Sequence, residues 1–306
     1  MNWTGVMPAM TTIFDKDGKL DHAFITRHAQ WLIENGCTGI ISLGSLGEAA
    51  TQTFAEKLEL LKTLVAALNG KAPVVAAISA LSTAEAVELA QAAHAVGCSG
   101  LMILPPYVYL GDWRETKAHV AAILKATPLT SILYNNPVAY GTDFKPEQIA
   151  ELAAEFPQLK AVKESSTDVR RVSAIRALLG DRLNIFVGVD DAIVEGIDAG
   201  AVGWVAGLVN AFPRESVELF NLAKAGKKEE TFALYRWFLP LLRMDTVPKF
   251  IQLIKQVQEF AGIGSADVRA PRMRVVGEEL AETKRIYDYA QANRPAEAVA
   301  STPFKA

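Results

Sequence analysis

Eight short apolar runs recur along the chain, each followed by a longer stretch with helical spacing. They are Val6–Met10, Gly39–Leu43, Val74–Ser79, Leu101–Leu104, Ser131–Tyr134, Ala161–Lys163, Ile185–Val189 and Trp204–Leu208. Each is continuous rather than alternating, the pattern of parallel strands covered on both faces. Strand and helix repeated eight times predict a closed (β/α)8 TIM barrel over residues 1–226 in preference to an open sheet.

The ends of the expected helices carry their own punctuation. Thr53-Phe54-Ala55-Glu56 and Ser82-Thr83-Ala84-Glu85 have capping-box form, in which hydroxyl and carboxylate satisfy orphan backbone N–H groups. Gly36…Gly39, Gly97…Gly100 and Gly200…Gly203 each lead into an apolar run, and the first glycine of each pair suits a left-handed helix stop. After about residue 226 the strand signal ends. Residues 227–294 read as a C-terminal helical domain, with helices near 227–243, 246–261 and 276–292 broken at Pro240 and Pro248. Its stripe Phe232, Tyr235, Phe238, Leu242 reads as packing or an oligomer interface. The Pro-, Ala- and Ser-rich tail over 295–306 is expected to fray as a flexible end.

Composition narrows the class. Half of the 306 residues are hydrophobic, enough for a large core. With 34 acidic against 31 basic residues, the net charge of −3 offers no electrostatic reason to bind nucleic acid or an anionic membrane. The apolar stretches fall well short of the roughly 20 residues of a membrane span. The first residues lack the basic region and long apolar run of a secretion signal. Cys37 and Cys98 are too few for a disulfide framework and sit in similar Gly-Cys contexts, as small buried residues at equivalent turns. A reduced, cytoplasmic protein is the expectation.

In a barrel of this type the reacting groups lie at the C-terminal ends of the strands. The second run ends in Gly44-Ser45-Leu46-Gly47-Glu48, the fifth in Tyr134-Asn135-Asn136-Pro137, the sixth in Lys163-Glu164-Ser165-Ser166 and the seventh in Gly188-Val189-Asp190-Asp191. Lys163 follows Ala161-Val162, which starts its stem in the barrel mouth. Withdrawal from water disfavours an ammonium, and a neutral amine adds to a carbonyl or imine to form a Schiff base. A lysine that merely reaches solvent or pairs with Glu164 is the plainer alternative. Tyr134 is placed to shuttle protons, or else is a core aromatic. Ser45 can relay a proton to it or hold a carboxylate, and Gly44 and Gly47 let backbone N–H groups approach an anion; a plain turn is the alternative. The loop has neither a P-loop nor a GxGxxG pattern, and no GxSxG nucleophile occurs. His22, His28, His94 and His119 lack ligand-like pairing. Asp190 and Asp191 read as helix caps or substrate hydrogen-bonders ahead of metal ligands.

GSLGE, YNNP and KESS, in that order and at these intervals, resemble the dihydrodipicolinate synthase / N-acetylneuraminate lyase family, from Thr4 to the Arg269–Arg272 region. The resemblance implies a TIM barrel with a helical C-terminal domain, a homotetramer, and a lysine Schiff base with a 2-oxo acid or equivalent. No metal or organic cofactor is implied. Lys163 matches the Schiff-base lysine, Tyr134 the proton-transferring tyrosine and Ser45 the hydroxyl relay. Val205 matches a position whose backbone lies near the substrate carboxylate. Leu46 stands where the family loop usually has a second hydroxyl, leaving only its N–H. Ala139 stands where the synthases place a carboxylate-binding arginine, and Val108 where a neighbouring subunit usually supplies a tyrosine.

Asp168-Val169-Arg170-Arg171, the run from Gly203 to Glu215 and Tyr235–Leu242 look closest to one branch, the 1-pyrroline-4-hydroxy-2-carboxylate deaminases of bacterial hydroxyproline catabolism. That branch implies a small cyclic imino acid as substrate, and 2,5-dioxopentanoate and ammonia as products. Ser165, Gly188, Asp190 and Asp191 are then the candidates for contacting the rest of the substrate. Other family activities (the synthase, a sugar-acid dehydratase, a 2-oxo-acid aldolase) and a non-catalytic ligand-binding barrel are the alternatives.

Overall fold

In the computed structural model, which describes residues 1–296 and 298–305, every one of the eight apolar runs is a strand. These are β1 Gly5–Pro8, β2 Ile40–Ser42, β3 Val74–Ile78, β4 Gly100–Ile103, β5 Thr130–Asn135, β6 Leu159–Glu164, β7 Asn184–Val187 and β8 Gly203–Ala206. All pairings are parallel, in the order β1-β8-β7-β6-β5-β4-β3-β2. A parallel bridge between Ala9 and Ile41, in which the Met10 N–H donates to the Ile41 carbonyl at 2.8 Å, closes the ring between β1 and β2. The continuity of the runs has the anticipated cause: β3, for example, is buried at all of its positions, between the barrel interior and the helical layer.

The local signals act as written. Thr53 Oγ1 accepts the Glu56 N–H at 3.2 Å while the Glu56 carboxylate accepts the Thr53 N–H at 2.9 Å, and Ser82 Oγ accepts the Glu85 N–H at 3.2 Å. Gly36, Gly97 and Gly200 have φ of +100°, +94° and +108°, where an L side chain would be strained. Cys37 and Cys98 follow the first two of these turns and are buried, and loss of water pushes both thiols up. Among the described residues no helix is long and apolar enough to cross a membrane.

The C-terminal region contains helices Lys228–Leu242, Phe250–Phe260 and Gly277–Ala292. Pro240 does not break the first of them, contrary to expectation; it lies inside. Burial of Trp237, Phe238, Leu241 and Leu242 around it outweighs the ~3 kcal/mol an internal proline costs. The break comes instead at a 3₁₀ turn, Arg243–Thr246. The aromatic stripe is packing within the chain: Phe238 meets Phe212 edge-on at 5.8 Å, and the Tyr235 hydroxyl donates to the Asp191 carbonyl. A buried ion pair makes a second tie. Glu48, in the turn after β2, accepts from Lys255 Nζ at 2.9 Å and from the Arg269 N–H at 2.9 Å.

The tail makes contacts that its composition does not announce. Trp31 Nε1 donates to the Thr302 carbonyl at 2.8 Å, Asn35 Oδ1 accepts the Thr302 N–H at 2.9 Å, and Glu218 accepts the Val299 N–H at 2.7 Å. The Phe304 ring packs 5.3 Å from Phe24 and 5.5 Å from Trp31. One aromatic anchor and paired backbone groups outweigh a composition that favours fraying; positions 297 and 306 lie outside the described residues.

Beneath that anchor, buried His28 donates from Nε2 to the Asn210 carbonyl at 2.9 Å. Burial pushes its imidazole down to about 4, against the hydrogen bond to Asn210. The unfolded ring titrates near ~6.5, so between these values the unfolded chain binds the extra proton. This contribution to stability is present above that range and is lost as pH falls through it, by roughly 3 kcal/mol across the whole window. Urea unfolding of wild type and His28→Gln should therefore converge as pH falls from 7 to 4.5, the variant losing less. Parallel losses in both would contradict this.

Candidate active site

The β5–β6 register sets Tyr134 directly beside Lys163, one position before the end of each strand. Both side chains turn into the barrel mouth. Lys163 is 5% exposed, and its Nζ lies 4.0 Å from the centroid of the Tyr134 ring. The Tyr134 hydroxyl accepts from Asn136 Nδ2 at 3.0 Å. Behind the two strand ends, Asn135 Nδ2 donates to Glu164 at 2.9 Å, and Arg171 clamps Asp143 through two 2.7 Å bonds. Burial opposes the Asp143 charge, but Arg171 and Lys145 hold its carboxyl down at about 2. Burial pushes Glu164 up, against its bonds from Asn135 and Ser166. This network positions the ends of β5 and β6 without entering the cavity.

Lys163 and Tyr134 line a cavity of about 390 Å³ together with Ser45, Leu46, Tyr140, Ser165, Gly188, Val205 and Asp245. That is the size range of small-molecule sites. Ser165 Oγ is buried without a protein partner among the described residues, a hydroxyl available to a ligand. Gly188 has a steric task. A Cβ there would stand 2.5 Å from Lys163 Cε and 2.0 Å from Ser165 Oγ, so only glycine leaves room for the lysine stem. Among the described residues, the N–H groups of Ser45, Leu46 and Gly47 donate to no backbone or side-chain acceptor of the protein, which leaves three consecutive donors beside the cavity.

Several expected contacts are different. Ser45 Oγ is hydrogen-bonded to the hydroxyl of Tyr140, not to Tyr134. Tyr140 stands on a single helical turn, Pro137–Tyr140, started by Pro137, capped by Asn136 and stopped by Gly141 at φ +72°. Its ring meets Tyr134 at 5.6 Å and Tyr107 at 5.9 Å. Burial and the neighbouring phenols push the Tyr140 hydroxyl up, while Ser45 opposes them. The second phenol of the site thus comes from within the chain, whereas Val108 points to solvent at 83% exposure. Ala139 lines the cavity where an arginine was missed, and no guanidinium lines it among the described residues.

Gly47 does not line the cavity: its carbonyl is taken by Thr12 Oγ1 and Gln52 Nε2, both at 2.8 Å. Asp190 is likewise excluded. Buried below the mouth, it accepts from Trp204 Nε1 at 3.0 Å, from the Gly207 N–H at 3.1 Å and from the Leu208 N–H at 2.8 Å, and so fixes the loop after β8. Burial pushes its carboxyl up to about 6, against those N–H bonds. Asp191 faces Arg243 at 3.6 Å, outside the cavity. Neither aspartate is free to contact a substrate.

Tyr140 and Asp245 are lining groups that the strand-end motifs do not point to. The Asn-Pro start and glycine stop around Tyr140 are a readable signal for a turn at the strand end. Asp245 offered none, since it sits at the joint between two helices of the C-terminal region.

An eight-stranded parallel barrel, with an amine at the end of the sixth strand beside a phenol at the end of the fifth, defines the class of Schiff-base lyase barrels. The model of the Dihydrodipicolinate synthetase family matches residues 2–290, and the chain belongs to that family, as an enzyme. A 4-hydroxy-tetrahydrodipicolinate synthase of Cellvibrio japonicus is 32% identical over 89% of this chain and 93% of its own length. One of Methanococcus maripaludis is 30% identical over 87% and 91%. The solved structure of the 4-hydroxy-tetrahydrodipicolinate synthase of Methylacidiphilum fumariolicum SolV has a TM-score of 0.92 at 26% identity, covering 95% of this chain and 97% of that one.

Proposed function

We propose that Lys163 forms a Schiff base with C2 of a small substrate and that this substrate is 1-pyrroline-4-hydroxy-2-carboxylate. The observation that carries the reading is the wall of the cavity. It holds the Lys163 amine beside Tyr134 and, among the described residues, no guanidinium. A synthase joins two carboxylate-bearing partners, and a wall without a bidentate clamp suits a substrate with one. The free N–H groups of Ser45 and Leu46 bind that carboxylate, and the Ser165 hydroxyl adds a further contact.

Lys163 adds to the C2 imine carbon; the bond from C2 to the ring nitrogen breaks, and the nitrogen leaves as the C5 amine. The iminium draws electrons from C3. Tyr134 takes the C3 proton and returns it to the C4 hydroxyl, which departs as water. The hydrogen-bonded hydroxyls of Tyr140 and Ser45 stand beside Tyr134 as a further proton relay. Tautomerisation makes the C5 amine an imine. One water releases ammonia there and a second frees Lys163, leaving 2,5-dioxopentanoate. One water lost and two consumed balance the reaction as substrate plus one water to product plus ammonia.

The names of the relatives favour a second reading, condensation of pyruvate with aspartate semialdehyde. Ammonia release and consumption of the two synthase substrates, measured in parallel, decide between them. For wild type we expect ammonia only from the pyrroline, and for Tyr134→Phe a fall in kcat on the order of 10²–10³. Turnover of the synthase pair without ammonia release would overturn the deaminase reading. The homotetramer and the cytoplasmic location belong to the same proposal.

A further inference from the structure

Lys163 and Asp245 are the only charged side chains in the cavity wall among the described residues. Asp245 comes from the 3₁₀ turn Arg243–Thr246, where the C-terminal helices overhang the mouth next to β8. Its carboxylate presses against bare backbone: a Cβ on Gly207 would stand 2.2 Å from its Oδ1. The cation nearest in sequence turns elsewhere, Arg243 facing Asp191 at 3.6 Å. Asp190, on the other side of Gly207, is spent on Trp204, Gly207 and Leu208. Burial and the Asp190 carboxylate push the Asp245 carboxyl up, and Lys163 opposes them. The wall therefore holds one carboxyl with no fixed cation beside it other than the reacting amine. When that amine is consumed in a covalent bond, a cationic group on the ligand is what favours the ionised form of this carboxyl.

We propose that Asp245 is the specificity-determining residue of the site and pairs with a cationic group on the distal end of the bound substrate. The inference rests on the Schiff-base reading of Lys163 and names the substrate class: 2-oxo acids, or their cyclic imines, whose tail carries an amine. On the pyrroline substrate that group is the C5 ammonium set free when the ring opens. An anionic tail meets repulsion at the same place.

Borohydride trapping on the full-length enzyme tests this without requiring turnover. Three five-carbon probes carry different tails: 1-pyrroline-2-carboxylate, a cyclic imine that opens to an ammonium tail; 2-oxopentanoate, with a neutral tail; and 2-oxoglutarate, with an anionic tail. For wild type, the concentration giving half-maximal labelling of Lys163 should be at least about tenfold lower for the first than for the second, and highest for the third. In Asp245→Asn the advantage of the ammonium tail over the neutral and anionic tails should shrink to within about twofold, with a thermal melt reporting that the variant is folded. Asp245→Glu should keep the order. An order that survives Asp245→Asn, or no order in wild type, overturns the inference. Labelling of Lys163 by none of the probes overturns the Schiff-base reading as well. The expected order without ammonia release from the hydroxypyrroline supports the inference while removing the deaminase.

Discussion

Lys163→Ala is expected to lose turnover by at least about 10⁴-fold, together with every trace of borohydride labelling by a 2-oxo acid or cyclic imine. The side chain is 5% exposed at the end of β6, its stem is packed against Gly188, and its amine lies over the Tyr134 ring. No other amine lines the cavity among the described residues, so none is placed to take over the attack. The fold does not depend on the amine. The amine lies over the aromatic face, a contact worth about 0.5–2 kcal/mol, so the variant should melt within a few degrees of wild type. Intact-mass and peptide analysis after reduction checks the labelling. Residual turnover above a hundredth of wild type, or a label on another lysine, would remove Lys163 from the chemistry.

The second large effect is expected at a residue with no chemistry of its own. Gly188→Ala places a methyl 2.5 Å from Lys163 Cε and 2.8 Å from its Cγ. The backbone tolerates alanine there, because Gly188 is not among the glycines with positive φ. Ser165 relieves its own conflict by rotating its hydroxyl, but the lysine stem has to shift along its length. Misplacing a nucleophile by about 1 Å costs on the order of 10² in rate. We therefore expect kcat to fall about a hundredfold, with labelling slower but still on Lys163, and with stability nearly unchanged. The double variant Gly188→Ala/Ser165→Ala should not recover, since the conflict with the lysine persists. Wild-type kcat in Gly188→Ala would show that the stem is not held by this wall.

Much of this wall is predictable from neighbours in the chain, and some of it is not. Lys163 and Tyr134 meet because register between parallel strands is set by their apolar runs, and those runs are local. Ser45 reaches the same mouth for the same reason. Its partner was misjudged, because which hydroxyl it meets depends on a single helical turn inserted after β5. That turn projects Tyr140 inward, while Val108, which stands where the family resemblance would place a tyrosine for a neighbouring subunit, is exposed. Asp190 and Asp191 illustrate an ambiguity of another kind. Carboxylates at a strand end read either as caps or as substrate contacts, and the tertiary structure decides for the first kind: the backbone N–H groups of the loop after β8 need an acceptor, and Asp190 satisfies them. Pro240 fails in a similar way, overruled by buried aromatic packing.

Chain chemistry alone decides the barrel, its caps and its glycine stops, because hydrophobic periodicity, capping and left-handed backbone act within a few residues. It also decides that an amine, a phenol and a hydroxyl arrive at one end of the ring. The charge that faces them is another matter. Asp245 is separated from Lys163 by 82 positions and by a change from strands to helices. Its place over the mouth depends on how the C-terminal helices bury Trp237, Phe238 and Leu242 and on the Glu48–Lys255 pair that ties them to the barrel. Electrostatic complementarity across a cavity is a sum over distant segments, and only the packed molecule brings those segments together.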